Sequence, residues 1–153
     1  MTFIGSNITK AGNLSTTYHQ CDGSSVSSGS DITIEGTSSI SGVSITNGDA
    51  VLSSGASYYL EISGTIYNYN SSGTVRWYNQ TTSSYVGQQS IWRNSPASGT
   101  RVNRMVARCL ILDSDFGSNS TMTLSPRTTA KSGSALYESA GYTEPHVRII
   151  RIA

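Results

Sequence analysis

Apolar and polar positions alternate with a period of two along much of the chain, most cleanly over Ser57–Asn79 (SYYLEISGTIYNYNSSGTVRWYN). Tyr58, Leu60, Ile62 and Ile66 fall on one side, and Tyr59, Glu61, Ser63, Thr65 and Tyr67 on the other. Successive side chains of a strand point to opposite faces, so this pattern predicts a strand with one face inward. Asn70-Ser71-Ser72-Gly73 has turn chemistry, and the alternation resumes with Val75 and Trp77 against Arg76 and Tyr78. The stretch therefore reads as a β-hairpin whose turn lies at Asn70–Gly73.

Other strands follow from the same period. Leu14–Cys21 puts Thr17, His19 and Cys21 on one face. Short runs at Asp31–Glu35, Ile40–Thr46 and Ala50–Leu52 are separated by turn pairs such as Glu35-Gly36 and Asn47-Gly48. Ser84–Arg93 reads as a strand kinked at Gly87, followed by a loop over Asn94–Thr100. Arg104–Asp113 contains good helix formers, but it is short, uncapped and bounded by turn signals, which favours a strand. Thr121–Leu124 is a further strand. Arg127–Tyr142 reads as a Ser/Gly/Thr-rich loop with one turn of helix near Leu136–Ser139, and His146–Ala153 as a terminal strand. Many short strands with turn signals between them predict an all-β, two-sheet antiparallel β-sandwich or a barrel. Residues 1–13 lack a sustained period and form an N-terminal arm, leaving 14–153 as a single domain.

Two strands are apolar on both faces. Met105, Ala107, Cys109 and Ile111 oppose Val106, Leu110 and Leu112 with Arg108; Val147 and Ile149 oppose Ile150 and Ile152. A second apolar face needs a second buried layer, and without helices to supply it the simplest source is another copy of the chain. The alternative is an irregular barrel that encloses both faces.

Composition narrows the partners. Only 12% of residues are charged and the formal net charge is +1, so no global field favours nucleic acid or anionic membrane. No run approaches a membrane helix, and Met1-Thr2-Phe3-Ile4 is not followed by a signal-peptide core, which predicts a cytoplasmic product starting at its own Met. With no export signal, Cys21 and Cys109 are expected to stay reduced.

Candidate chemistry is sparse. Only His19 and His146 could serve as the usual base of a hydrolase, and no G-x-S-x-G elbow occurs. The carboxylates are scattered, Glu61 lying on the outward face of its strand, so no catalytic pair is expected. Asp113-Ser114-Asp115 begins like a calcium loop but lacks the later ligands, and a turn is the expected role. His19, Cys21, Cys109 and His146 lack the spacing of a zinc site. No catalytic residue, metal or cofactor is predicted. Arg101, Arg104 and Arg108 form a local basic stretch suited to surface or intersubunit ion pairs, the alternative being contact with an acidic partner surface.

The order SYYLEISGTI, RWYNQTTSSYVGQ, RMVARCLILDSD, TMTLSPR and EPHVRIIRIA resembles the trimeric jelly-roll modules of the tumour-necrosis-factor and complement-head type. It is similar, more narrowly, to the capsid decoration (cement, head-fibre or knob) and fibre-tip proteins of tailed bacteriophages. The likeness covers Ala50–Ala153. It implies a jelly-roll sandwich, a homotrimer and a non-enzymatic virion protein made in the bacterial cytoplasm and carried on the capsid surface. The implied partners are further copies of itself and the major capsid protein. Under that resemblance Val106, Arg108, Leu110, Leu112, Ile150 and Ile152 line the trimer interface, and Phe3, Ile4 and Ile8 contact the capsid. The alternative within the same class is a glycan-binding fibre tip. Exposed rings there would stack on sugars, with Tyr85 and Trp92 as contacts to a host glycan.

Overall fold

The computed structural model describes residues 14–22, 29–92, 101–136 and 145–152, with backbone alone for 65–71, 92, 101–103 and 130–136. The elements are β1 (Ser15–Gln20), β2 (Val43–Thr46), β3 (Asp49–Ser53), β4 (Ser57–Asn79), β5 (Ser84–Trp92), β6 (Arg101–Ile111), a 3-10 turn at Asp113–Phe116, β7 (Thr121–Leu136) and β8 (His146–Ile152). The protein is all-β, as its alternation predicts. Among the described residues the strands join in one curled, eight-stranded sheet of order β1-β8-β4-β7-β3-β2, with β5 lying against β4 and β6. Every pairing is antiparallel.

The expected hairpin at Ser57–Asn79 is instead a single strand of 23 residues. Its two halves have different neighbours. Residues 57–63 pair with β8 and 58–68 with β6; residues 67–79 pair with β7 and 73–79 with β5. Each half finds a longer ladder with distant strands than it could make by folding back on the other. Asn70–Gly73 survives as an irregularity, since the register with β7 slips between Tyr69 and Ser72. Turn-forming residues thus sit where the ladder is interrupted, a role bulges commonly fill.

Two other expectations are corrected. β7 runs on through Pro126 to Leu136, where the sequence reads as a loop. Pro126 is tolerated because its side of the strand, away from β4, meets no regular ladder; its carbonyl accepts the Ile32 N–H at 2.7 Å. Asp31–Glu35 is held by isolated bridges, Asp31 to Arg127 and Cys21 to Ile34, though Ile32 and Ile34 are buried as their alternation requires. The arm 1–13, the loop at 94–100 and residues 137–139 lie outside the described residues.

The concave side of the sheet holds the core. Tyr58, Leu60 and Ile62 meet Met105, Ala107, Cys109 and Ile111 of β6 and Val147 and Ile149 of β8. Val75 and Trp77 continue it with Met122 and Leu124 of β7 and Ala50 and Leu52 of β3. Trp77 ties the halves together: its ring is fully buried and its Nε1 donates to the Ala107 carbonyl at 3.2 Å. The β2–β3 hairpin closes through Asn47 and Gly48, both at positive φ (53° and 84°), the geometry that a two-residue turn between antiparallel strands favours.

Candidate functional site

The convex side of the sheet presents two surfaces, one on each half of β4. On β1-β8-β4-β6 the outward residues fall in register. Leu110 lies opposite Tyr59, which lies opposite Ile150 and then Thr16; in the next row come Arg108, Glu61, Arg148 and Tyr18. Ile152 faces Ser57 at the strand ends, and Val106 faces Ser63. Leu112 follows β6, where the next residue's N–H bonds to Ser57 Oγ. All six residues expected at an interface therefore share this face. Leu110 and Leu112 are 54% and 47% exposed, and Tyr18 of β1 and Leu14, just before β1, are open as well. The register adds Leu14, Tyr18 and Tyr59 to the set. Tyr59 was legible from its alternation with Tyr58.

Glu61 is the electrostatic centre of that surface. It accepts from Arg108 Nε at 2.7 Å and from the Tyr59 hydroxyl at 3.0 Å, and Arg148 Nη2 lies 3.6 Å away. Burial pushes its carboxyl up, but the Arg108 and Tyr59 hydrogen bonds and the two cationic charges together hold it below the ordinary range. The Arg148 guanidinium also sits 5.8 Å from the Tyr59 ring centroid. One carboxylate is shared by two arginines.

The second surface lies on β5-β4-β7. Tyr85 faces Tyr78 across the β4–β5 pair, ring centroids 5.0 Å apart and edge to face at 66°. Arg127 covers the Tyr78 ring at 3.6 Å and grips Asp31 with two hydrogen bonds of 2.5 and 2.8 Å. The Asp31 hydrogen bond raises the pKa of Arg127 above its ordinary value. Arg76 lies directly opposite Arg127, and its Nε donates to the Gly87 carbonyl at 3.0 Å. Beyond them Asp49 accepts from Gln80 Nε2 at 2.9 Å and from Ser125 Oγ at 2.7 Å. Tyr85 is exposed, as a glycan contact must be; the side chain of Trp92 lies outside the described residues. Phe3, Ile4 and Ile8 do so too. The Arg127–Asp31 pair escaped the sequence reading because its partners are 96 residues apart and Arg127 was assigned to a loop.

The histidines are not brought together. His19 points inward, where Nδ1 donates to the Glu35 carbonyl at 3.1 Å and Nε2 is left to accept from Thr17 Oγ1 at 3.1 Å. His146 is on the opposite face, 3.0 Å from Ser63 Oγ. Cys21 and Cys109 are free and buried. Burial, helped by the Glu35 charge, pushes the Cys21 thiol up to about 12, and burial raises Cys109 as well. Such thiols are protonated and unreactive. Among the described residues no group of His, Cys, Asp or Glu could hold a metal ion, and no helix is long and apolar enough to cross a membrane. Asp113 and Asp115 accept from backbone N–H groups of Gly55 and Leu112 at 2.6 and 2.8 Å, the turn role expected of them.

No family profile matches the chain, and no curated protein matches its sequence.

Proposed function

We propose that this chain is a non-enzymatic virion structural protein, a decoration or cement protein that binds the outside of a tailed-phage capsid as a homotrimer and stabilises the shell. In this reading the curled sheet is a jelly-roll sandwich, and the protein is made in the bacterial cytoplasm and carried on the capsid surface. Its partners are its own copies and the major capsid protein, with no role for nucleic acid, membrane or cofactor.

The observation that supports it is the apolar band on β1-β8-β4-β6. Leu14, Leu110 and Leu112 are exposed beside the half-buried Tyr59, Ile150 and Ile152, on a sheet whose other face is already core. Contiguous apolar surface of this kind marks an association site. The ion cluster on the same face is paired within itself but carries one excess positive charge, which a covering partner must meet. Mass measurement of the purified protein, alone and with expanded capsids lacking it, is the test. A trimer that binds those capsids and raises their melting temperature is expected; a monomer at micromolar concentration overturns the reading.

A second reading, a glycan-binding fibre tip, is favoured by one observation: the exposed Tyr85 ring is held edge-on by Tyr78 beside two arginines.

A further inference from the structure

The surface on β5-β4-β7 has an unbalanced charge at its centre. Arg76 and Arg127 are directly opposed on neighbouring antiparallel strands, an arrangement in which like charges destabilise the pair. Arg127 is answered by the bidentate Asp31 and by the Tyr78 ring. Arg76 is not. Among the described residues its Nε bonds to the Gly87 carbonyl and no carboxylate lies within ion-pair distance, which leaves its two terminal nitrogens for an external acceptor.

The ground beside Arg76 is open. The β4–β5 register slips between Val75 and Trp77, so Arg76 faces the stretch 87–89 of β5. Gly87, at φ 69°, contributes no side chain there. Its backbone comes so close to β6 that an added Cβ would lie 2.1 Å from the Arg108 carbonyl oxygen. That Cβ would point at β6, so Gly87 fixes the approach of β5 to β6 and does not itself shape the ground beside Arg76. Around it stand the exposed Gln88 and Gln89, the exposed Ile91, and Tyr85 at 39% exposure.

We infer that this surface binds a saccharide bearing a carboxylate, a uronic-acid unit, with Tyr85 as the stacking platform and Arg76 as the carboxylate ligand. The inference rests on the glycan-binding reading above and adds to it the acidity of the sugar. Tyr85 faces Tyr78, two residues along β4 from Arg76, so the ring and the guanidinium belong to the same outer face of neighbouring strands. A pyranose ring seated on Tyr85 would turn its carboxylate toward Arg76. The C–H face of the ring would stack on Tyr85, whose orientation is fixed because Tyr78 abuts its ring and Arg127 covers Tyr78. The carboxylate would take the fork of Arg76, a charge-assisted contact, and the glutamine amides would meet hydroxyls. An acidic peptide could also satisfy Arg76; a saccharide is favoured because the exposed ring offers a flat stacking face beside amides that pair with hydroxyls.

Calorimetric titration of the full chain with oligogalacturonate, oligoglucuronate and oligomannuronate, each as free acid and as methyl ester, tests this. Binding of at least one free acid is expected, weakened about tenfold or more by esterification or by Arg76→Gln, and abolished by Tyr85→Ala. Arg76→Gln should leave the melting temperature unchanged or raised, since it removes a like-charge pair; this separates a binding role from a structural one. Equal binding of acid and ester, still dependent on Tyr85, would sink the acidity while leaving the glycan reading intact. No binding of any of the six would remove the uronic acid; failure of neutral hexose and N-acetylhexosamine oligomers in the same titration would remove the glycan reading as well. Polyglutamate binding as tightly as the oligouronates would assign the surface to an acidic polypeptide instead.

Discussion

The two halves of β4 carry the same ionic inventory on their outer faces and dispose of it differently. On the first half, Arg108 and Arg148 share Glu61, and apolar side chains surround the cluster. On the second, Arg127 takes both oxygens of Asp31 and Arg76 is left over among aromatic rings and amides. In each case two guanidiniums meet one carboxylate. Sharing leaves both arginines with an acid within reach and spreads the excess charge between them; exclusive pairing leaves one cation with none and invites a ligand. How the acid is divided, more than which residues are present, sets the use of the surface.

The comparison depends on the halves being one body, and the largest expected effect tests that. Trp77→Ala should cost about 3–5 kcal/mol in urea unfolding, because it removes the buried ring that joins β4 to β6 through the Ala107 carbonyl. A cost below about 1 kcal/mol would mean the halves are not packed through this ring. Gly87→Ala should cost about 2–4 kcal/mol, combining an unfavourable φ with the clash against the Arg108 carbonyl. If it were neutral, the close approach of β5 to β6 would not be fixed at Gly87.

Smaller effects sharpen the contrast between the surfaces. If the proposed trimer forms through the first surface, Leu110→Glu should lower the mass in light scattering to that of the monomer while changing monomer stability by no more than about 0.5 kcal/mol; Tyr85→Glu should leave the mass unchanged. The smallest effect concerns pH. A carboxyl whose folded pKa is lowered contributes stability above its unfolded pKa and loses it as pH falls through the folded value. Glu61→Gln should therefore reduce stability near neutrality by about 1 kcal/mol or less, and the gap from the parent protein should close on acidification below the ordinary carboxyl range. A gap that persisted at the lowest pH would show that Glu61 acts by packing and not by charge.

Alternation was the legible part of this chain. Tyr58, Leu60 and Ile62 against Tyr59 and Glu61 placed both faces of β4 correctly, and the same reading put Leu110, Leu112, Ile150 and Ile152 outward together. Punctuation was legible only where geometry followed it. Asn47-Gly48 makes a two-residue turn, but Asn70–Gly73 does not, because the strands that extend β4 past that point lie far away in sequence. The Ser- and Thr-rich half of β7 looks like a loop for the same reason: its alternation is polar on both faces, and only the ladder with β4 reveals it. Register across distant strands was needed to see Arg76 beside Arg127.

The change of partners along β4 has a consequence for how the chain folds. Its first half is completed by β6 and β8, and its second by β5 and β7, so the central strand waits on segments made much later, Ser57 on Ile152. Non-local pairing of this kind slows folding, because loop closure precedes its reward. Until β8 docks, residues 57–63 keep one unpaired edge, a template for another chain. A nascent chain lacking 146–152 would therefore be the species most prone to aggregate, and the last strand acts as the latch that ends that exposure.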